Sequence, residues 1–418
     1  MAIVPWGDLF EDWLDTLGVS PEAFRDEFTG SWMFGYVEAL QTAGVRAIVV
    51  CITGRVDRPT RWTHRPTGAT LHLLPPARAF RALRGLRLEE PLRGRRDASG
   101  LARAGITHLA PYLATPPLRL ARVLRAESCN ALLCQEYEAP RFDVCVGLGT
   151  VLRLPTFATF QGGDYQLSRL ERLLRPLTVR RAAGLIVPTH TERERLICSY
   201  GVPETKLATV FNPIDLEVWR PGGREESRIE LGIAADADVV VWHGQVHPRK
   251  GLDLLLASWG RICSERPGRA LELLLVGSGE ARSGLAQEVS RLGLHGVRVL
   301  DEWVLDPARL RRLLCAGDVY AFPSRHEGFP VAPVEAMACG LPLVATDAQG
   351  MADILEGGEE DGGILVARDD LDALTGALGD LLDDPARRDE LGRQARARVE
   401  RAFSLEAVGR QLRATLVG

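Results

Sequence analysis

Short apolar runs alternate with helical patterns along most of this 418-residue chain, and this alternation constrains the fold more than any other feature. Buried strands that are separated by helices form the parallel sheets of α/β proteins. The runs that we predict as strands are 2–5, 47–52, 131–135, 156–160, 184–189, 239–244, 271–277, 297–300, 318–324, 341–346 and 363–366. The sequence therefore predicts an α/β protein with parallel sheets.

A break in this pattern falls at residues 215–227, where proline, two glycines and charged side chains interrupt the periodicity. Split at residue 218, the first part has a formal charge of +4 and the second −8. We predict two doubly wound, Rossmann-like domains, 1–218 and 219–395, that face each other across a cleft. We expect a C-terminal helix in 396–418, and it packs back on one of the two domains.

The composition excludes several classes of protein. The apolar content of 46% and the charged content of 25% are ordinary for a soluble enzyme, and the net charge of −4 gives no reason to expect nucleic acid. No apolar run reaches the roughly 18 residues of a membrane span. The N-terminus MAIVPWGDLFEDWLD has no basic region, so we do not expect a signal peptide. The eight cysteines are scattered and form no CxxC pair, which indicates reduced core residues rather than disulfides or metal ligands.

Two segments leave alternatives open. The aromatic residues Trp6, Trp13 and Trp32 precede the first long helix; they belong either to an extra packed helix pair or to a lid that binds an acceptor. Residues 76–125 hold 11 arginines and three acidic residues. This segment is either a solvated basic face or a contact with a phosphate-bearing acceptor or an anionic membrane surface.

The motif RHEGFPVAPVEAMACG at 325–340 follows a predicted strand. Pro333 suits the first turn of a helix, so the free backbone N–H groups of that helix point at the preceding loop. A phosphate could bind there. Glu327 and Glu335 could accept hydrogen bonds from sugar and ribose hydroxyls, although two glutamates alone are more often a local cap and a helix N-terminal acid.

A second motif, HGQVHPRKG at 243–251, joins a predicted strand to a predicted helix. Arg249 and Lys250 are fixed cations at this junction, which suits a diphosphate. Such cations stabilise the charge that develops on a leaving diphosphate, and a metal ion is then not needed.

These motifs together resemble the family-4-type retaining glycosyltransferases (glycosyl transferases group 1) of GT-B fold. The resemblance rests on PTHTERERLICSYGVPETKLATVFNPIDLEVWRP at 188–221, HGQVHPRKG, LLLVGSGE at 273–280, and the Glu-x7-Glu signature from Glu327 to Glu335. It covers about 185–350 well and is thin before residue 150.

The resemblance implies a role for each matching residue. Lys250 would bind the donor diphosphate, Glu335 the ribose, and Glu327 the donor sugar. The other residues would line the donor site: they are Gly30, Ser31, Gly244, Gln245, Gly277, Trp303, Gly328, Phe329 and Val331. The implied reaction moves a sugar from a nucleoside diphosphate donor, with UDP or GDP as the nucleotide, with retention of configuration and without a metal or cofactor.

Two positions depart from the family pattern. Gln245 replaces an arginine that helps to clamp phosphate, and Arg249 is a candidate to compensate. In TFATFQGGD, Gln161 replaces a histidine; it can hydrogen-bond a sugar hydroxyl but cannot act as a base. Asp164 is either that base or a turn residue. The histidines His243, His247 and His326 lie near the motif loops, and we interpret them as structural or solvated.

We therefore predict a cytoplasmic glycosyltransferase, with peripheral contact to the inner membrane face as an option. Its acceptor would be a glycan, a lipid-linked sugar or a small molecule. The losses at Gln245 and Gln161 keep a second hypothesis open, in which a degenerate GT-B protein binds nucleotide or glycan without turnover. A sugar epimerase is a third, more remote possibility.

Overall fold

The computed structural model describes the chain except for residues 8, 13, 30–32, 81–108, 163–167, 280–283, 305 and 418. It forms two compact units. Unit 1 comprises Met1–Phe211 and Val408–Gly418, and unit 2 comprises Asn212–Ala407. The boundary between the units thus lies seven residues before the break predicted at 218.

The sheet of unit 1 has eight strands in the order β3-β4-β2-β1-β5-β6-β7-β8, and all neighbours are parallel except β3 and β4. The strands are β1 Ala2–Pro5, β2 Ile48–Ile52, β3 Thr60–Thr63, β4 Thr70–Leu74, β5 Leu132–Gln135, β6 Thr156–Thr159, β7 Gly184–Ile186 and β8 Leu207–Ala208. Five of these strands match predicted runs. The prediction missed β3, β4 and β8.

The sheet of unit 2 has six parallel strands in the order β11-β10-β9-β12-β13-β14. They are β9 Asp238–His243, β10 Leu271–Val276, β11 Val297–Leu300, β12 Val319–Phe322, β13 Leu343–Thr346 and β14 Gly363–Val366. This is the strand order of a Rossmann domain. The first three strands are added towards one edge of the sheet and the last three towards the other edge, so the strand order reverses between the first and fourth strands, here β9 and β12. All six strands were predicted, and the α/β fold class is confirmed.

Helices cover both sheets. In unit 1 they are α1 Leu9–Asp12, α2 Pro21–Asp26, α3 Phe34–Thr42, α4 Pro117–Ala126, α5 Pro140–Leu152, α6 Arg169–Arg181 and α7 His190–Tyr200. In unit 2 they are α8 Arg224–Leu231, α9 Leu252–Glu265, α10 Gly284–Arg291, α11 Pro307–Cys315, α12 Ala332–Ala338, α13 Met351–Ile354, α14 Leu371–Asp383 and α15 Pro385–Ala402. The last helix, α16 Leu405–Val417, begins in unit 2 and ends in unit 1.

The C-terminal end of α16 packs on α3 of unit 1. Arg413 donates a hydrogen bond from Nη1 to the carbonyl oxygen of Ala43 at 2.7 Å. Gly409 lies so close to α3 that an added Cβ would stand 2.2 Å from the carbonyl oxygen of Ala39. The C-terminal helix was predicted to pack on one of the two domains, and its last residues contact the N-terminal one.

The core of unit 2 lies between its sheet and the helices that cover it. Helix α9 places Leu255, Trp259 and Ile262 on one buried face at helical spacing. The central strands β9 and β12 carry continuous buried runs, because helices cover both faces of the sheet. Within the described residues, no helix is long and apolar enough to cross a membrane.

Candidate functional site

The loops that follow β9 and β12 meet at the carboxyl edge of the unit 2 sheet. Parallel sheets bind ligands at this edge, where the strand order reverses. Gly251 has a φ of 66°, and an added Cβ would lie 2.0 Å from the carbonyl oxygen of Pro323. Arg325 N donates to the carbonyl oxygen of Arg249 at 2.7 Å. Only glycine fits at position 251, because any side chain would collide with the backbone of Pro323. This close approach and the hydrogen bond between Arg325 and Arg249 hold the two loops against each other.

Lys250 and Glu327 lie together in these loops. Lys250 Nζ donates to Glu327 Oε1 and Oε2 at 2.7 and 2.9 Å. The hydroxyl of Ser324 also donates to Glu327 Oε1. The side chains of Lys250 and Glu327 are 25% and 10% exposed, so this charged pair is largely enclosed yet still accessible. The structure thus brings together two residues that the motifs place 77 positions apart.

Glu335 belongs to α12, the helix after this loop, and its carboxylate is bound by a histidine. His243 Nε2 and Glu335 Oε2 are 2.9 Å apart. The opposite ring nitrogen of His243, Nδ1, lies 3.1 Å from the hydroxyl of Tyr320. His243 and Tyr320 are buried, and Glu335 is 18% exposed in its side chain. The prediction that His243 is structural or solvated missed this link to a candidate site residue.

The loops after β9 and β10 approach each other through glycines. Gly277 has a φ of 157°, and a Cβ there would lie 1.8 Å from the carbonyl oxygen of Gly244. At Gly279, a Cβ would lie 2.1 Å from the carbonyl oxygen of Val246. Backbone hydrogen bonds from Gly244 N to Val276 O and from Val246 N to Ser278 O, each 3.0 Å, hold the two loops in contact. Side chains at 277 and 279 would separate them.

The other predicted residues of unit 2 differ in exposure. Arg249 and Gln245 are exposed on the loop after β9. Trp303 follows β11 and is 42% exposed, as suits a surface aromatic available for stacking. Phe329 is buried and stacks on Phe403 with 6.3 Å between ring centroids, so its side chain supports the loop from inside.

Residues Gly328 and Val331 are half-buried and lie at the start of α12. Helix α12 begins at Ala332, with Pro333 in its first turn as predicted. Among the predicted residues of unit 1, Gly30, Ser31 and Asp164 lie outside the described residues.

Gln161 lies at the carboxyl edge of the unit 1 sheet, just after β6. Its backbone N–H donates to Glu136 Oε2 at 3.0 Å, and its side-chain Nε2 donates to Thr159 Oγ1 at 3.2 Å. Glu136 directly follows β5, which neighbours β1 where the strand order of this sheet reverses. The prediction did not single out Glu136, although the polar stretch QEYE at the end of a buried strand is a signal for this edge.

Glu136 has two unusual properties. Its φ is 95°, a left-handed value that is rare for a residue with a side chain. Burial raises the pKa of its carboxyl group to about 7, despite hydrogen bonds from the backbone N–H groups of Glu138 and Gln161 that oppose the rise. Strained backbone and a raised carboxyl pKa are both more frequent at functional sites than elsewhere.

A buried ionic network in unit 1 includes Glu138, whose backbone N–H donates to Glu136 Oε1. The guanidinium of Arg175 is fully buried between Asp143, Glu138 and Glu171, at 3.1 to 3.4 Å. Arg195 pairs with Glu138 as well. Buried ions of this kind are held because every charge has partners, and removal of one partner leaves an uncompensated charge. In the described parts of the chain, no three His, Cys, Asp or Glu side chains are arranged to hold a metal ion.

Comparison with known families gives two matches along the chain. Residues 32–218 match the family model described as Glycosyltransferase Family 4. Residues 237–384 match the model described as Glycosyl transferases group 1. Together the two matches cover most of the chain and correspond closely to its two units.

Similar curated proteins include two D-inositol 3-phosphate glycosyltransferases. The protein of Gordonia bronchialis is 32% identical over 58% of this chain and 54% of its own length. That of Kineococcus radiotolerans is 36% identical over 53% of this chain and 54% of its own length. The chain thus spans about half the length of the curated relatives that it matches.

Similar solved structures cover almost the entire chain at low identity. Sucrose-phosphate synthase of Thermosynechococcus elongatus has a TM-score of 0.67 at 20% identity and covers 98% of this chain and 96% of its own. Anabaena HepE in complex with UDP has a TM-score of 0.70 at 17% identity and covers 100% and 99%. At these identities the likeness concerns the fold alone.

Proposed function

Because the chain belongs to the glycosyltransferases of family 4 and group 1 and has their two-sheet GT-B fold, we propose that it transfers a sugar from a nucleoside diphosphate sugar to an acceptor hydroxyl. The transfer retains the configuration at the anomeric carbon and uses no metal ion. The donor binds to unit 2. The acceptor binds to unit 1.

The arrangement of Lys250, Glu327 and Glu335 is the observation that carries this proposal. All three lie at or next to the switch point of the unit 2 sheet: Lys250 and Glu327 in loops that a glycine contact fixes in place, and Glu335 in the helix that follows. In the proposed complex, the ammonium of Lys250 neutralises charge on the leaving diphosphate. Such fixed charges act strongly in a partly enclosed site, since little solvent reorganises during the reaction. Glu327 then accepts hydrogen bonds from the donor sugar, and Glu335 accepts them from the ribose.

The environment of Glu327 supports retention without a covalent enzyme intermediate. Both of its carboxylate oxygens accept hydrogen bonds from Lys250, and Ser324 donates to one of them. A carboxylate whose lone pairs and charge are engaged in this way is a weak nucleophile. We therefore assign Glu327 a binding role and leave deprotonation of the acceptor to the diphosphate.

The first donor to test is a UDP sugar. Structures of Anabaena HepE have been solved with UDP and with UDP-glucose, and HepE shares the fold over the whole chain. The first acceptor to test is D-inositol 3-phosphate, on which the similar curated enzymes act by name. Glycans and lipid-linked sugars are further acceptor classes for the panel, and lipid-linked sugars would involve peripheral membrane contact.

Lys250→Ala tests the proposal, and Lys206→Ala is its matched control because these are the two lysines of the chain. Lys206 belongs to unit 1, where its Nζ donates to the carbonyl oxygens of Arg180 and Ala182. We expect Lys250→Ala to lower kcat/KM for UDP-glucose, in transfer or in slow hydrolysis, by about 100-fold or more. We expect Lys206→Ala to change it less than about threefold.

Three results would count against the proposal in different ways. Equal turnover in Lys250→Ala and wild type would show that the unit 2 loops are not the donor site. UDP binding by thermal shift, without turnover of any donor, would favour the degenerate binding protein that Gln245 and Gln161 suggest. If the sugar is not transferred to any acceptor and the product is an isomerised donor, the protein is an epimerase.

A further inference from the structure

We infer that His243 is a positioning residue that aims Glu335 at the ribose of the donor, and that Tyr320 in turn holds His243. This inference rests on the proposed function, because it takes Glu335 as the ribose-binding group. It adds two residues to the site: His243, which the sequence analysis interpreted as structural or solvated, and Tyr320, which it did not single out. Its consequence is that His243 should affect recognition of the ribose hydroxyls selectively.

The first step is the direction of the hydrogen bonds. An ionised carboxylate can only accept, so His243 Nε2 must carry a proton and donate it to Glu335 Oε2 over 2.9 Å. The other ring nitrogen, Nδ1, then lies 3.1 Å from the hydroxyl of Tyr320. In neutral histidine Nδ1 is an acceptor, and the tyrosine hydroxyl donates to it.

The second step is that the arrangement also accommodates protonated histidine. With both ring nitrogens protonated, Nδ1 donates to the Tyr320 oxygen, and the tyrosine hydroxyl can donate to the backbone carbonyl oxygen of His243 at 3.2 Å. Nε2 faces Glu335 in both states. Burial raises the pKa of Tyr320 well above its ordinary value, so its hydroxyl remains neutral and available as a donor. The orientation of Glu335 is therefore maintained in either charge state of the histidine.

The third step is the rigidity of the support. His243 is the last residue of β9, and Tyr320 lies in the neighbouring strand β12, paired with Val241. Tyr320 is fully buried and His243 is 6% exposed. Both side chains thus project from the two strands that flank the switch point of the sheet, and neither can move without disturbing the core. A carboxylate held in this way is pre-organised to bind, and it loses little rotamer freedom when a ribose is bound.

A ribose test separates positioning from a general structural role. We compare Kd for UDP, 2′-deoxy-UDP and 3′-deoxy-UDP by titration calorimetry in wild type, His243→Phe, His243→Gln and Tyr320→Phe. Phenylalanine at 243 keeps the ring shape and removes the donor. Glutamine keeps an N–H near the position of Nε2 and serves as the rescue variant. Structural damage alone would weaken the binding of all three nucleotides equally.

We expect wild type to prefer UDP about tenfold or more over at least one deoxy analogue, which is typical for loss of a hydrogen bond to a charged group. In His243→Phe this ratio should fall to about threefold or less. His243→Gln should recover most of the preference. Tyr320→Phe should lie between wild type and His243→Phe, because the histidine stays but loses its anchor.

The outcomes distinguish this inference from the proposed function. If wild type binds neither UDP nor GDP, both are overturned; if it binds GDP alone, the same comparison is made with GDP and its deoxy analogues. A wild type that binds UDP without preference for ribose hydroxyls would overturn the inference, as would an unchanged ratio in His243→Phe. If His243→Phe does not fold, as judged by its melting curve, an unchanged ratio in folded Tyr320→Phe overturns the inference equally.

Discussion

Relative to wild type, Glu136→Gln is expected to gain stability of unit 1 as the pH rises from about 4 to about 8. In the folded protein, burial holds the carboxyl pKa of Glu136 at about 7, compared with an ordinary value of 4.5. The folded state therefore binds this proton more tightly than the unfolded chain does. The associated stability is fully present below pH 4.5 and is lost as the pH rises through 7. Glutamine is neutral at every pH. It keeps one acceptor oxygen for the two backbone N–H groups, so it loses one hydrogen bond, and this loss does not depend on pH.

The size of this change in stability follows from the interval between the pKa of Glu136 in the unfolded chain, 4.5, and in the folded protein, about 7. Each pH unit between the two pKa values corresponds to about 1.4 kcal/mol, so the wild type should lose about 3 kcal/mol of unfolding free energy across it. Glu138 and Glu192 add to the rise in pKa through repulsion, and the two backbone N–H groups act against it. For a domain of the size of unit 1, each kcal/mol changes Tm by about 2–4 °C. The variant should gain about 6–12 °C on wild type between pH 4 and pH 8.

Thermal melting of the whole chain at pH 4, 5, 6, 7 and 8 measures this difference. The unit 1 transition is followed in wild type and in Glu136→Gln, and only the difference between them is used, since other groups titrate equally in both proteins. Separate transitions for the two units are fitted separately, because a single two-state fit is not valid for independent domains. Parallel Tm curves for wild type and variant across this range would refute the reasoning, since they would mean that Glu136 titrates alike in folded and unfolded protein.

Two further substitutions test other features of the structure. Glu127→Gln should have the opposite pH dependence, because hydrogen bonds, first from His72 and then from Arg46 and Arg61, lower the pKa of Glu127 to about 2. The stability that Glu127 contributes is present above its ordinary pKa of 4.5 and is lost as the pH falls towards 2, so the variant should melt below wild type at pH 7 and close to it at pH 2–3. Equal Tm differences at both pH values would contradict this. Gly277→Ala should abolish or greatly weaken UDP binding, since its Cβ would stand 1.8 Å from the carbonyl oxygen of Gly244. Gly268→Ala is the control: its φ is also positive, at 81°, but no atom lies within 4 Å of the added Cβ. UDP binding equal in the two alanine variants would show that the contact between the loops is not needed.

The success of the fold prediction differed between the two units for a physical reason. The central strands β9, β12 and β13 of unit 2 are buried on both faces, so each appears in the sequence as a largely apolar run. The missed strands of unit 1 lie at or near the edges of its sheet. β3 has the half-exposed sequence TRWT, and β8 has only two residues. Such short or partly solvated strands depend on tertiary pairing, which local sequence does not encode.

The candidate site was predictable where a motif is contiguous in sequence, and not where a contact joins distant residues. Lys250, Glu327 and Glu335 could be named because each lies in a loop or helix start with a recognisable pattern. The contact of His243 with Glu335 spans 92 positions, and that with Tyr320 spans 77. His243 ends the buried strand β9, but nothing in the sequence around it indicates Glu335 or Tyr320 as its partners. Their relation exists only because β9 and β12 are neighbours across the switch point of the sheet.

The same geometry explains why an arginine-rich chain has a lysine at position 250. The neighbouring guanidinium of Arg325 is committed to Asp253 and Asp369, so it serves the structure of the loop. The ammonium of Lys250 has three donors, and the two oxygens of Glu327 accept from it at 2.7 and 2.9 Å. Two of the three N–H groups thus donate to Glu327. Among the described residues, the third N–H remains available for one phosphate oxygen. A planar guanidinium would form a bidentate pair with Glu327 and direct its remaining N–H groups elsewhere, because its donors have a fixed fork geometry. Under the proposed function, a compact charge at position 250 serves the carboxylate of Glu327 and a donor phosphate together.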